Sequence, residues 1–248
     1  SAALKTQSDK QIIEATKIWT SMDPEAHIAN NTLLLKSTQN QRGNEVQQLL
    51  NEFIAKNSKD PGSYVATLTR RLSQERIDLN WLEPYLDPIW EKYASAPSVV
   101  MAKAVYKKRQ GEDKEACRAA LSVLPGNGLV FRQKDLSWFS DNEDFATTAA
   151  DICWSVMPEK SQRILETVID SDPSSTVARL MYGKILARSG HADLALEQIH
   201  EAIDIDPDSP TVLYNAGELA VECKDFELAK KLFNNYITAG QSKNPRHD

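Results

Sequence analysis

The sequence predicts an all-α fold, an α-solenoid or superhelix of antiparallel helical hairpins, and three observations carry this prediction. The apolar fraction of 41% and the charged fraction of 26% are those of an ordinary folded protein. Glycine (9) and proline (11) are scarce among the 248 residues, and so few helix breakers favour long helices over many short strands. The C-terminal part also repeats with a constant step of 34 residues, which is typical of stacked helix pairs.

The repeat is clearest in residues 176–209 and 210–243, which align without a gap, and residues 142–175 fit the same frame more loosely. Each repeat carries a small residue, a second small residue twelve positions later, and a large apolar residue four positions after that. The matching triplets are Ala149, Ser161 and Leu165; Gly183, Ala195 and Ile199; and Gly217, Ala229 and Phe233. Because two helices approach closely only where neither presents a bulky side chain, the small residues mark the predicted helix crossings.

Each repeat reads as two helices with a break between them. In the middle repeat, apolar residues recur at helical spacing on both sides of Ser189 and Gly190, which interrupt the pattern. Ser209 is a good N-cap for the next helix, and Pro210 at its first position costs no hydrogen bond.

This pattern resembles the tetratricopeptide repeat (TPR) family, in which Gly, Ala, a large apolar residue and a closing Pro recur at these spacings. Pro207 closes the middle repeat here, whereas Gln241 stands where the last repeat should have its proline. The family's tryptophan place is also changed, to Phe145, Arg179 and Leu213 in the three repeats. The resemblance implies stacked hairpins whose first helices line a concave groove for an extended peptide or a helix.

The predicted domain organisation follows this repeat frame. Ala104 and Ala116 have the twelve-residue separation, with Gly111 at the turn between them, and predict one further TPR-like unit. The predicted segments are degenerate TPR-like hairpins in 1–96, a TPR-like unit in 97–124, an inserted loop in 125–141, three TPR units in 142–243 and a polar tail in 244–248.

The N-terminal half continues as helix pairs, although the repeat frame slips there and an unrelated helical domain is the alternative. Apolar residues from Val46 to Ile54 recur at helical spacing. Aspartate followed by proline predicts two helix starts, at Asp60-Pro61 and at Asp87-Pro88. Residues 11–20 occupy the phase of a second helix without a first one. Either this helix is a solo cap or the natural chain extends upstream, and we expect the extension.

Charge and motifs argue against several function classes. The net charge of −6 and the pI of about 5.4 do not suit a nucleic-acid partner, and no apolar run approaches the roughly 18 residues of a membrane span. The four histidines form no zinc motif, and the sequence has no Cys-x-x-Cys motif. The carboxylates are scattered and show no acid–base pair. We therefore expect no metal, no cofactor and no catalytic residue.

The resemblance to the TPR family also supplies candidate residues for a peptide-binding groove. These are Met101, Val105, Lys108, Arg109, Trp154, Leu180, Lys184, Arg188, Tyr214, Asn215, Glu218 and Glu222. The first repeats contribute basic side chains and the last repeat contributes acidic ones, so a partner with an acidic stretch next to a basic one would complement this groove. Simple solvation of exposed helix faces is the alternative reading.

The predicted insert carries Phe131, Trp138 and Phe139, which either anchor a partner or fold back to seal the packing between helix pairs. Self-association as a homodimer is also open. The polar face of the last helix argues against self-association; it is formed by Lys230, Lys231, Asn234 and Asn235.

The predicted function is that of a non-catalytic scaffold or adaptor that binds a protein or peptide partner. The alternative is the helical accessory region of a larger enzyme, or of a membrane-anchored assembly factor, whose other part lies outside this chain. Three widely spaced cysteines suit the cytoplasm and are tolerated in a periplasm, so the compartment stays open.

Overall fold

A computed structural model describes residues 2–23, 26–56, 80–128, 131 and 135–243. The predicted helix start at Asp60-Pro61, the polar tail 244–248 and most of 129–134 lie outside the described residues. All regular structure in the described ranges is helical, which confirms the all-α prediction. The chain divides into two compact units, Ser1–Val123 and Leu124–Asp248.

The first unit contains six described α-helices and one short 3₁₀ turn, Asn80–Leu82. The helices are α1 (Ala2–Met22), α2 (His27–Gln39), α3 (Gly43–Lys56), α4 (Glu83–Lys92), α5 (Pro97–Arg109) and α6 (Asp113–Val123). Each contacts the next one along this list, and α5 and α6 form a hairpin. Ala104 and Ala116, the small residues predicted for this crossing, are completely buried.

The core of this unit lies between α2, α3, α4 and α5, around Leu50, Ile89 and Tyr106. The rings of Tyr106 and Trp90 lie 6.1 Å apart, centroid to centroid. A Cβ atom on Gly43 would lie 2.2 Å from the Tyr85 ring, so only glycine lets α3 start against that ring.

The predicted helix start at Asp87-Pro88 is wrong, because Pro88 lies inside α4, which begins at Glu83. Pro84 takes the favourable first-turn place instead. The N–H missing at Pro88 removes one early hydrogen bond, and burial of Leu86 and Ile89 on the core side compensates for it.

The second unit contains seven described α-helices and the 3₁₀ turn Pro125–Gly128. They are α7 (Leu136–Asp141), α8 (Glu143–Cys153), α9 (Pro158–Ser171), α10 (Thr176–Arg188), α11 (Ala192–Ile205), α12 (Pro210–Glu222) and α13 (Phe226–Lys243). Helices α8–α9, α10–α11 and α12–α13 form three hairpins. The first helix of each hairpin contacts the first helix of the next hairpin. The second helix of each hairpin also contacts the first helix of the next hairpin.

Small side chains mark the crossings inside these hairpins, as the repeat predicts. A Cβ on Gly183 would lie 3.3 Å from the backbone oxygen of Ala195, and one on Gly217 would lie 2.7 Å from the Phe233 ring. Ser161 and Ala195 are completely buried on the second helices. The 34-residue spacing of the sequence therefore corresponds to successive packed helix pairs in the structure.

The aromatic residues of the insert pack inside the second unit. Phe139, on α7, is completely buried, and its ring makes edge-to-face contacts with Phe131 at 4.8 Å and with Trp138 at 5.3 Å. Helix α7 contacts α8 and α9. This cluster supports the packing interpretation of the insert, because its central ring is not available to a partner.

Candidate peptide-binding cleft

A cleft of about 530 Å³ lies along the first helices of the middle and last hairpins, α10 and α12. The residues that line it on α10 are Thr176, Val177, Leu180, Met181 and Lys184. On α12 they are Thr211, Val212, Asn215, Glu218, Leu219, Val221 and Glu222, and Phe233 of α13 completes the lining. Five residues that the sequence predicted for the groove are among them: Leu180, Lys184, Asn215, Glu218 and Glu222.

Helical periodicity explains why these side chains share one surface. Val177, Leu180, Met181 and Lys184 stand at i, i+3, i+4 and i+7 on α10, which is one face of a helix. Residues 211, 215, 218 and 222 stand at i, i+4, i+7 and i+11 on α12, which is also one face of a helix. Since α10 and α12 pack side by side, the two faces meet in an apolar floor with polar groups along its rim.

The charged groups of the cleft are not equivalent. Glu218 accepts a hydrogen bond of 3.0 Å from the Tyr214 hydroxyl, and Glu222 lies 3.8 Å from Arg188 Nε. Lys184 makes no ion pair or hydrogen bond with any other described residue. It is therefore the cleft cation that remains available to a ligand.

Trp154, Arg188 and Glu222 form a ladder at the edge of the cleft, because they occupy the same place in three successive repeats. The Arg188 guanidinium lies 5.6 Å from the centroid of the Trp154 ring and 3.8 Å from the Glu222 carboxylate. It also lies 3.8 Å from Asp151. Arg188 thus links three hairpins, and its charge is already compensated within the protein.

Tyr214 lies beside the cleft on the outer side of the last hairpin. Its ring centroid is 6.0 Å from that of Phe233 and 5.5 Å from that of Tyr236. The hydrogen bond to Glu218 and the charge of that carboxylate raise the pKa of the Tyr214 phenol, so it stays a neutral donor.

The remaining predicted residues lie in the first unit, on α5. Met101 is only 6% exposed and packs in the core, while Val105, Lys108 and Arg109 are half-buried. Lys108 pairs with Asp113 at 3.3 Å, and burial lowers the pKa of the Arg109 guanidinium. Within the second unit, the structure therefore brings Leu180, Lys184, Asn215, Glu218 and Glu222 to one cleft.

Apolar residues that line the cleft were missed by residue-by-residue transfer from the family pattern. Val177, Met181, Val212, Leu219 and Phe233 were not predicted. The signal that could have found the α10 members is the helical spacing, since Val177 and Met181 flank Leu180 on the same face.

Two other functional features were expected to be absent from the sequence, a metal site and a membrane-spanning helix. The described residues contain no group of three or more histidine, cysteine or acidic side chains placed to hold a metal ion. In the same residues, every helix is too short or too polar to cross a bilayer.

The second unit stacks three hairpins at a constant repeat step, with small residues at their crossings. This is a TPR-like repeat fold. No protein-family model matches the sequence, and neither does any curated protein. Its TPR character therefore rests on the repeat and on the helix contacts described above.

Solved structures similar to the chain include helical repeat proteins of low sequence identity. BtubC from P. vanneervenii is 14% identical, with 98% of this chain and 92% of that one covered and a TM-score of 0.46. MamA from Desulfovibrio magneticus RS-1 is 16% identical, with 73% and 97% covered and a TM-score of 0.44. YrrB, described as a TPR protein with an unusual peptide-binding site, is 20% identical, with 80% and 93% covered and a TM-score of 0.40. At this identity no activity or partner is transferred to the present chain.

Proposed function

We propose that the cleft between α10 and α12 binds a segment of another protein and that the chain is a non-catalytic interaction scaffold. The observation that carries this proposal is the combination of an apolar floor, a polar rim and an unpaired Lys184 in one cleft of about 530 Å³. Ligand sites of this kind commonly fall between about 300 and 1,000 Å³ and fix orientation with a few polar groups. The cleft runs along two helices, so it suits a short extended or helical segment with a few apolar side chains.

The charges around the cleft define the partner further. Arg188 and Glu222 compensate each other, which leaves Lys184 on α10 and Glu218 on α12 to face a ligand. These two residues stand in equivalent places of neighbouring repeats. The partner segment therefore carries apolar anchors with one acidic and one basic side chain beside them.

The experiment is a selection of peptides by display on the whole protein, followed by calorimetry with purified variants. Val177→Arg places a long charged side chain on the apolar floor, and we expect it to weaken the selected peptides by about tenfold or more. Leu194→Arg is the matched control, because Leu194 is equally accessible, at 47% exposed, but lies on α11 outside the cleft. Equal affinity for the wild type and Val177→Arg would contradict the proposal.

Lys184→Glu tests the charge part of the proposal separately. We expect it to weaken an acidic peptide by about tenfold at low salt and by less as salt screens the pair. An effect independent of salt would show that Lys184 contributes through packing rather than charge.

A further inference from the structure

The cleft between α10 and α12 offers a ligand few partners for its own backbone. In the middle turns of both helices, the backbone N–H and C=O groups are bonded within the helix. Asn215 is the only amide side chain among the lining residues that the structure describes, and Met181 stands in the equivalent place one repeat earlier. An extended segment needs a partner for each N–H and C=O group that it buries. The cleft therefore favours a segment whose backbone groups are already bonded, and an α-helix is such a segment.

Helix α11 shows that the pair formed by α10 and α12 accepts another helix beside it. It contacts both of them, and its Ile199 and Ala202 are completely buried in one apolar cluster with Leu180 and Val212. Leu180 and Val212 also line the cleft, whereas none of the residues of α11 does. Helices pack by fitting ridges of side chains into grooves, at interaxial distances of about 8–10 Å. The separation of α10 and α12 that seats α11 is thus also available to a ligand helix in the cleft.

The length of the lining matches a short amphipathic helix. On α10 the lining runs from Thr176 to Lys184, which is about 12 Å at the rise of an α-helix. On α12 it runs from Thr211 to Glu222, which is about 16 Å. Apolar anchors at i, i+3 or i+4, and i+7 span about 10 Å of a helix, so the cleft is long enough to hold all three.

The charges of the cleft suit the two flanks of such a helix. Lys184 on α10 and Glu218 on α12 stand in equivalent places of neighbouring repeats. A helix seated between α10 and α12 therefore meets a cation from one side and a carboxylate from the other. The charged residues that flank the apolar stripe of a helix commonly set the choice of its partner.

We propose that the segment bound by the cleft is an amphipathic α-helix of three to four turns, with apolar anchors at i, i+3 or i+4, and i+7, an acidic residue on one flank of this stripe and a basic residue on the other. The inference rests on the proposed function, because it names the kind of segment that the same cleft binds. The bound helix buries its apolar stripe on the cleft floor while its backbone hydrogen bonds stay within the helix.

The test compares two synthetic peptides of identical composition, each about four helical turns long, by calorimetry with the whole chain. Both consist of leucine, alanine, glutamine, glutamate and lysine. One carries its leucines at i, i+3 and i+7, and the other carries them at alternate positions, the period of a strand. We expect the helical-period peptide to bind about tenfold more tightly or better, and its helical circular dichroism to increase in the complex.

Variants of the protein locate this binding. Val177→Arg should weaken the helical-period peptide by about tenfold or more, because Val177 lines the cleft and is 49% exposed. Leu194→Arg, at a comparably exposed residue outside the cleft, should leave the affinity unchanged.

Proline substitutions in the helical-period peptide give a second readout. Proline at a central position away from the leucines should weaken binding by about a hundredfold, because it breaks the helix. Proline at the first helical position should change the affinity by less than about twofold, since that position needs no N–H.

The failure of this inference differs from the failure of the proposed function. An alternating peptide that binds as well as the helical one, or a central proline that is tolerated, would overturn the helix and leave the cleft as a binding site. If only display-selected peptides bind, a gain of helix in their complexes supports the inference and its absence overturns it. If no peptide of either kind binds, the proposed function is overturned, and the inference with it.

Discussion

The middle hairpin α10–α11 and the last hairpin α12–α13 share one sequence pattern but have different surroundings. A Cβ on Gly183 would meet Ala195 of its own hairpin and Leu219 of the next hairpin, at 3.3 and 2.7 Å. The atoms nearest to a Cβ on Gly217 all belong to Phe233 of its own hairpin. Among the described residues, helices of other hairpins pack against both sides of the middle hairpin but against only one side of the last. Equivalent residues of a repeat protein therefore contribute differently to the free energy of unfolding, according to whether a neighbouring hairpin covers them.

The largest expected difference concerns apolar residues of the second helices. Ile199→Ala removes a completely buried side chain beneath the next hairpin, and it should lower the free energy of unfolding by about 3 kcal/mol. Ile237→Ala changes an exposed residue of the last hairpin and should cost less than about 0.5 kcal/mol. Urea titrations of both variants make the comparison. Equal losses would show that the two hairpins are covered to the same extent.

The glycines should give the next largest difference. Gly183→Ala should destabilise by about 1–2 kcal/mol, since overpacking outweighs the better helix propensity of alanine and the backbone of Ala195 cannot move aside. Gly217→Ala should cost less, because the half-buried Phe233 ring can turn away towards solvent. Thermal unfolding of the pair measures this, and a greater loss at Gly217 would contradict the one-sided enclosure of the last hairpin.

The two N-cap serines provide a smaller and closely matched test. Ser175 Oγ accepts a hydrogen bond of 2.9 Å from the Ala178 N–H and donates one to Glu143, whereas Ser209 makes no side-chain cap bond. Ser175→Ala should therefore lower stability by about 1 kcal/mol, and Ser209→Ala should have almost no effect. Losses of the same size at both serines would mean that the Ser209 hydroxyl also caps its helix in solution.

The smallest expected effect is a pH dependence specific to the middle hairpin. The Tyr182 hydroxyl donates to Glu166 on α9 at 3.0 Å, and the repeat-equivalent residue in the last hairpin is Ala216. Burial, followed by the hydrogen bond and charge of Glu166, raises the pKa of Tyr182 from 10.0 to about 12. Because the folded protein holds this proton more tightly, the stabilisation is complete below pH 10 and is lost as pH rises towards about 12.

Tyr182→Phe checks this dependence. We expect it to cost about 0.5 kcal/mol at neutral pH, since the network is partly exposed, and to show a weaker decline of stability in strong base than the wild type. The absorbance of phenolate follows the same titration directly. A Tyr182 that ionises at the ordinary tyrosine pKa of 10.0 would contradict the contact with Glu166.

Much of the repeat architecture could be predicted from the sequence because it depends on local spacing. The repeat step and the small residues at the crossings predict which helices pair, and the first-turn Pro210 predicts where α12 begins. Ser209 was also predicted as an N-cap, but its hydroxyl makes no cap bond. Pro88 misled the prediction because it lies inside the helix, where burial of Leu86 and Ile89 compensates for the hydrogen bond that proline removes.

Which charged side chains of the cleft pair with each other could not be predicted from the sequence. Arg188 and Glu222 lie one repeat apart, and their pairing depends on the distance between neighbouring helices, which the sequence pattern does not contain. The same holds for the contact between Arg188 and Trp154. The resemblance predicts that the first helices line the groove, and the structure was needed to distinguish Arg188, which is compensated by Glu222 and Asp151, from Lys184, which pairs with no other described residue.

The most direct test of the central claim, that the cleft on α10 and α12 is the binding surface, is an NMR titration of the labelled protein with a display-selected peptide. We expect the largest shifts on amides near Leu180, Lys184 and Asn215, with little change on α11 around Leu194. Shifts confined to α11, or to helices of the first unit, would contradict it.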